Sequence, residues 1–146
     1  MKLSIEYDDD SIRSLLQKLQ EKLEEAENTK LIVGTSVSYA YEHQTGDGQR
    51  KREFLGVSDS DRLVLQSILE EAIVDPASNY RSTLQEMGEY LLLSTDQRWE
   101  KEEAPDGTPW AKNAPWVIER KKRLGKIQKI LQETGRLRSS IGYRIE

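Results

Sequence analysis

The chain has 146 residues, a third of them charged and 36% hydrophobic, which fits one domain with a modest core and excludes a large multidomain enzyme. It has no Cys and a single His, His43, so disulfide frameworks, thiolate metal sites and thiol nucleophiles are excluded. Lys and Arg total 22 against 26 Asp and Glu, a net charge of −4, but residues 1–75 hold 9 basic and 16 acidic groups while residues 76–146 hold 13 and 10.

The charge is therefore split, −7 in the first half and +3 in the second. Within 112–144 ten basic residues face two acidic ones. Such asymmetry has two readings: a solvated helix face balanced by the acidic half of the same or a neighbouring subunit, or a face that binds a polyanion or acidic partner. No apolar run reaches the ~18 to 20 residues a spanning helix needs, and the acidic opening segment lacks the pattern of a signal peptide. A soluble protein is expected.

Leu3, Ile5 and Tyr7 alternate with polar residues and predict a short strand. Asp8 to Ser11 then offer caps for a helix whose Ile12, Leu15, Leu16, Leu19, Leu23 and Ala26 share one stripe, ending at Asn28-Thr29. A β-prone run from Leu31 to Tyr39, interrupted at Gly34, predicts a strand. The polar stretch Gln44 to Arg52 reads as a loop. Ser58 and Asp61 resemble a capping box for a helix over Leu63 to Val74, which Asp75-Pro76 stops. Tyr80, Leu84, Met87 and Leu91 predict a third helix over 80–97, followed by a loop with a tight turn at Asp106-Gly107. Pro115 suits the first turn of a fourth helix, which carries the Arg120 to Arg123 run, bends at Gly125 and continues to a stop at Thr134-Gly135. Ser140 to Ile145 predicts a closing strand. The expected fold is one α+β domain over 1–146, about four helices packed on a small, mainly antiparallel sheet.

Chemistry is sparse. A hydrolytic triad would rest on His43 alone, and metal binding would need it to recruit Glu42 or Asp47. Asp8, Asp9 and Asp10 are accounted for by helix capping and the macrodipole. No phosphate-binding glycine motif occurs. No enzyme, cofactor or metal is expected. Trp99, Trp110 and Trp116 fall within 18 positions around the Asp106-Gly107 turn; they are candidate anchors of that loop, with an exposed docking patch as the alternative. The candidate interaction face is Arg120, Lys121, Lys122, Arg123, Lys126, Lys129, Arg136 and Arg138, and its candidate acidic counterpart is Glu21, Glu24, Glu25 and Glu27.

Several strings carry a family resemblance: Met87-Gly88-Glu89, Pro105-Asp106-Gly107-Thr108-Pro109-Trp110, Arg120-Lys121-Lys122, and Ile130-Leu131-Gln132-Glu133-Thr134-Gly135-Arg136-Leu137-Arg138-Ser139-Ser140-Ile141. Val33-Gly34-Thr35, Tyr39-Ala40, His43-Gln44 with Gly46, and Arg52-Glu53-Phe54-Leu55-Gly56-Val57-Ser58 followed by Asp61 add to them. Together they resemble the phage virion morphogenesis, or tail completion, family of Mu-like tailed phages. In that family the second group of strings closes the chain, so segment 29–75 is transposed here relative to the family order. If so, Leu31 to Val37 should still pair antiparallel with Ser140 to Ile145, which the family order would join by a short connection. The resemblance implies a non-catalytic assembly protein of the tail or neck. It would reside in the virion, and in host cytoplasm during assembly, with itself and other tail or neck proteins as partners. The alternative is a small nucleic-acid-binding module using the basic helix around 117–129.

Overall fold

A computed structural model describes residues 8–75 and 77–146. The strand expected over Leu3, Ile5 and Tyr7, and Pro76 of the expected helix stop, lie outside the described residues.

The first helix, α1 (Asp9–Asn28), begins at Asp8, whose carboxylate accepts the Asp10 N–H at 3.2 Å and the Ser11 hydroxyl at 2.6 Å. These bonds satisfy an otherwise orphaned N–H and place negative charge at the positive end of the helix dipole. After Thr29 the chain enters β1 (Leu31–Gly34), then α2 (Ala40–Thr45), α3 (Asp59–Val74) and α4 (Tyr80–Lys101). The second half adds α5 (Pro115–Arg123), α6 (Arg136–Ser139) and β2 (Gly142–Ile145).

The only sheet among the described residues has two strands. β1 and β2 pair antiparallel from Leu31↔Ile145 to Gly34↔Gly142, so the expected pairing of these sequence-distant segments is present. This α+β domain is organised around α4, which packs on both strands, on α3 and on α1. Gly88 allows the closest of these approaches: a Cβ there would lie 2.7 Å from the Tyr143 ring of β2. The core lies beyond that contact, where Phe54 and Trp99 are fully buried among Ala40, Ala104, Trp110, Ile130 and Leu137.

Expectations around the first strand and the fourth helix are corrected. Tyr39 does not continue a strand, and residues 40–45 are helical. β1 ends at Gly34, and a six-residue helix is too short to show the periodicity that identifies longer ones. α2 is held instead by buried Ala40 and by Gln44. The Gln44 amide accepts the Phe54 and Leu55 N–H groups, both at 3.0 Å, and donates to the Leu55 carbonyl at 2.8 Å.

The fourth helix is also shorter than expected. It ends at Arg123, because Gly125 takes φ +62° and turns the chain back, with the Lys126 N–H donating to the Lys121 carbonyl at 2.9 Å. Residues beyond it follow an irregular path that side chains of the α4 region hold in place. The Glu102 carboxylate accepts the Ile130 N–H at 2.6 Å, and buried Gln132 donates to the Trp99 carbonyl at 3.1 Å. Gly135, expected to stop that helix, instead precedes α6.

Candidate interaction site

The three tryptophans separate. Trp99 and Trp110 are buried and meet edge to face with ring centroids 4.9 Å apart, and Phe54 lies 5.5 Å from Trp99. Such pairs contribute about 0.5 to 1.5 kcal/mol beyond the area they bury. The Trp110 indole N–H donates to the Glu53 carbonyl at 2.8 Å, tying the loop after α4 to the segment before α3. Trp116 is 67% exposed on the first turn of α5 and takes no part in this cluster.

The eight candidate basic residues divide as well. Lys121 is 3% exposed, and its ammonium donates to the Lys129 carbonyl at 3.0 Å. Burial pushes its pKa below the usual lysine value. Arg120 pairs with Glu133 at 2.8 Å, Lys129 pairs with Glu100, and Arg138 bridges Asp96 at 2.7 Å and Glu100 at 2.6 Å. Arg120 and Lys121 fasten α5 to the irregular segment, and Lys129 and Arg138 fasten that segment and α6 to α4. Lys122, Arg123, Lys126 and Arg136 are exposed and have no ion-pair partner among the described residues. The geometry therefore does not present the eight as one continuous outward row.

On the acidic side, Glu21, Glu24, Glu25 and Glu27 are all exposed on α1. Among the described residues Glu21 and Glu24 accept only from Gln17 and Gln20 one turn earlier, at 3.2 and 3.4 Å. The helix holds to the body through Lys22, whose ammonium caps the end of α3 by donating to the Ala72 and Asp75 carbonyls and the Ser78 hydroxyl. No residue of α1 is buried, and Leu15, Leu16 and Leu23 remain 56–66% exposed.

One buried polar centre escapes sequence reasoning. Asp61 and Ser58 form the expected capping box, but the same carboxylate also accepts from the Tyr90 hydroxyl at 3.0 Å, the Ser94 hydroxyl at 2.5 Å and the Arg98 guanidinium at 2.8 Å. Arg98 also donates to the Gly56 carbonyl and the Thr95 hydroxyl. The spacing of Tyr90, Ser94 and Arg98 at i, i+4 and i+8 is the signal that would have placed them on one face of α4. Burial works to raise the Asp61 pKa, but the hydrogen bonds from Ser94, Ser58 and Tyr90 outweigh it and hold the value at about 2. The carboxylate is surrounded by donors, whereas the buried Nε of Arg98 has no hydrogen-bond partner among the described residues; the pair ties α3 to α4. Among the described residues no group of three or more His, Asp or Glu is arranged to hold a metal ion, and no helix is long and apolar enough to cross a membrane.

The part of the chain holding α4, the Trp99–Trp110 pair, α5 and β2 is also the part with known relatives. The sequence pattern of the phage virion morphogenesis family matches residues 71–146, just over half of the chain. The chain belongs to the phage virion morphogenesis family. No curated protein and no solved structure matches it. Within this virion morphogenesis chain, segment 29–70 lies outside the match, yet Glu53, Phe54 and Asp61 are bonded or packed into the matched part at Trp110, Trp99 and Arg98. A structural role in virion assembly accords with this membership.

Proposed function

We propose that the protein acts in tail completion or head–tail joining of a Mu-like tailed phage, through protein–protein contact and without catalysis. The observation that carries this reading is the family match over 71–146. The polarised charge supports self-association, with Glu21, Glu24, Glu25 and Glu27 of one copy facing cations of the next in a head-to-tail contact. Deletion of the gene from the phage or prophage that carries it tests the role. Filled heads and separate tails should accumulate in electron micrographs, and joined virions in normal numbers would overturn the proposal.

The transposition of segment 29–75 is part of the same reading. Its support is the β1–β2 pairing, together with the two bonds between Lys30 and Glu146, N–H to carbonyl at 2.6 and 2.9 Å. Those bonds put the last residue against the start of β1, where a short hairpin would join them in the family order. A nucleic-acid role rests on the exposed Lys122, Arg123, Lys126 and Arg136 alone. A mobility shift of duplex DNA that disappears steeply with added salt would favour it.

A further inference from the structure

A cleft of about 550 Å³ opens between α2, the loop at 49–52, the start of α5 and the irregular segment before α6. Its walls carry His43, Arg50, Arg52, Arg120 and Lys121 against a single carboxylate, Glu133, which Arg120 already holds. Arg50 donates to the Lys112 carbonyl at 2.8 Å, and Arg52 donates to the Ala111 and Lys112 carbonyls and to the Asn113 amide oxygen. Lys121 likewise meets only a carbonyl. Arg50, Arg52 and Lys121 are thus hydrogen-bonded but not neutralised, and like charges gathered in one concavity repel unless an anion enters. Two nitrogens buried in these walls, Nδ1 of His43 and Nε of Arg120, have no hydrogen-bond partner among the described residues. Burial, and then the Arg52 charge, pushes the His43 pKa down, as expected where the local field is positive.

The complementary surplus is on α1. None of its carboxylates is ion-paired among the described residues, and Glu21, Glu24 and Glu25 are exposed on the face opposite its apolar stripe. Glu21 and Glu25 are one turn apart, so their side chains can enter a single concavity together. Resting on the self-association proposed above, we infer that the cleft is a carboxylate receptor that takes the acidic face of α1 from a second copy of this chain. A concave site served by Tyr39, Val117 and Leu131 as well as by cations suits carboxylates on alkyl stems. A phosphate backbone is tracked by an extended row of exposed cations, which this cleft is not.

The contact is heterologous, so each half can be broken separately. Arg50→Glu disables the cleft and leaves α1 intact, while Glu24→Lys with Glu25→Lys disables the helix and leaves the cleft intact. Analytical ultracentrifugation of the full-length chain at low salt should show association in the wild type and roughly tenfold or greater weakening in either variant. An equimolar mixture of the two should form a discrete heterodimer, because the intact helix of one fits the intact cleft of the other. The resonance of His43, the sole histidine, should shift on association of the wild type and stay put in the Glu24→Lys, Glu25→Lys variant. Variants that assemble as the wild type does would overturn the cleft while leaving the assembly role standing. A wild type that stays monomeric would overturn the cleft contact and the proposed self-association together. Loss of duplex DNA binding in Arg50→Glu with association unchanged would reassign the cleft to phosphate and overturn the inference.

Discussion

At the scale of single residues, Asp61 decides the most. Breaking a buried ion pair by removing one partner costs about 3 to 5 kcal/mol, because the other charge stays buried and uncompensated. Asp61→Ala also removes half of the α3 capping box, so its loss of stability should lie in the upper part of that range and show as a lower urea unfolding midpoint; an unchanged midpoint would show that Arg98 finds another anion. The carboxylate is held at about 2 in the fold against an ordinary value of 3.8. A depressed folded value means the unfolded chain binds the proton first, so this contribution is complete above pH about 4 and disappears as pH falls through about 2. Urea titrations at pH 5 and pH 2.5 should differ more in the wild type than in Asp61→Asn. The tryptophans give a second check at this scale. With Trp99 and Trp110 at 0% and 5% exposure and Trp116 at 67%, iodide should quench one indole of three, and quenching of all three would contradict the aromatic anchor.

The elements show where local pattern suffices and where it fails. α1, α3 and α4 are each long enough for their stripes to be read, and the caps at Asp8 and Ser58 mark the starts of the first two. Of the three tryptophans grouped around the turn, Trp99 and Trp110 meet in the core and Trp116 stays exposed, a division that their spacing does not show. α2 was not legible, since six residues show no period, and its attachment through Gln44 depends on Phe54 and Leu55 ten residues on. The break of the basic helix at Arg123 was legible in position, at Gly125, but not in extent. What replaces the helix is bonded to Glu102 and Trp99, which no local window contains. Gly88 offers the test at this scale. In an exposed helix Gly→Ala stabilises by about 1 kcal/mol, but here the added Cβ would lie 2.7 Å from the Tyr143 ring. Overpacking of this kind costs about 1 to 3 kcal/mol, so Gly88→Ala should lower the melting temperature; a rise would mean that β2 slides away from α4 at no cost.

For the whole molecule, the proposed transposition makes its own prediction. A chain re-linked in the order 1–28, 76–146, 29–75 should keep the native circular dichroism spectrum, since Glu146 already lies against Lys30. It should also refold faster than the natural order, because the Leu31↔Ile145 pairing becomes a local hairpin instead of closing a loop that spans most of the chain. Stopped-flow refolding that is equally fast or slower in the re-linked chain would count against that ordering of contacts. By itself the sequence determined the α+β class, the three long helices, the segments that form β1 and β2, and the polarity of charge between the halves, because periodicity, caps and composition are local or additive properties. Only the tertiary structure decided which cations remain available. Arg120, Lys129 and Arg138 pair with Glu133, Glu100 and Asp96, whereas Lys121, buried against the Lys129 carbonyl, lines one cleft together with Arg50 and Arg52, which local pattern left in a loop. Charge is counted along the chain, but the partner that neutralises it is chosen by proximity in space.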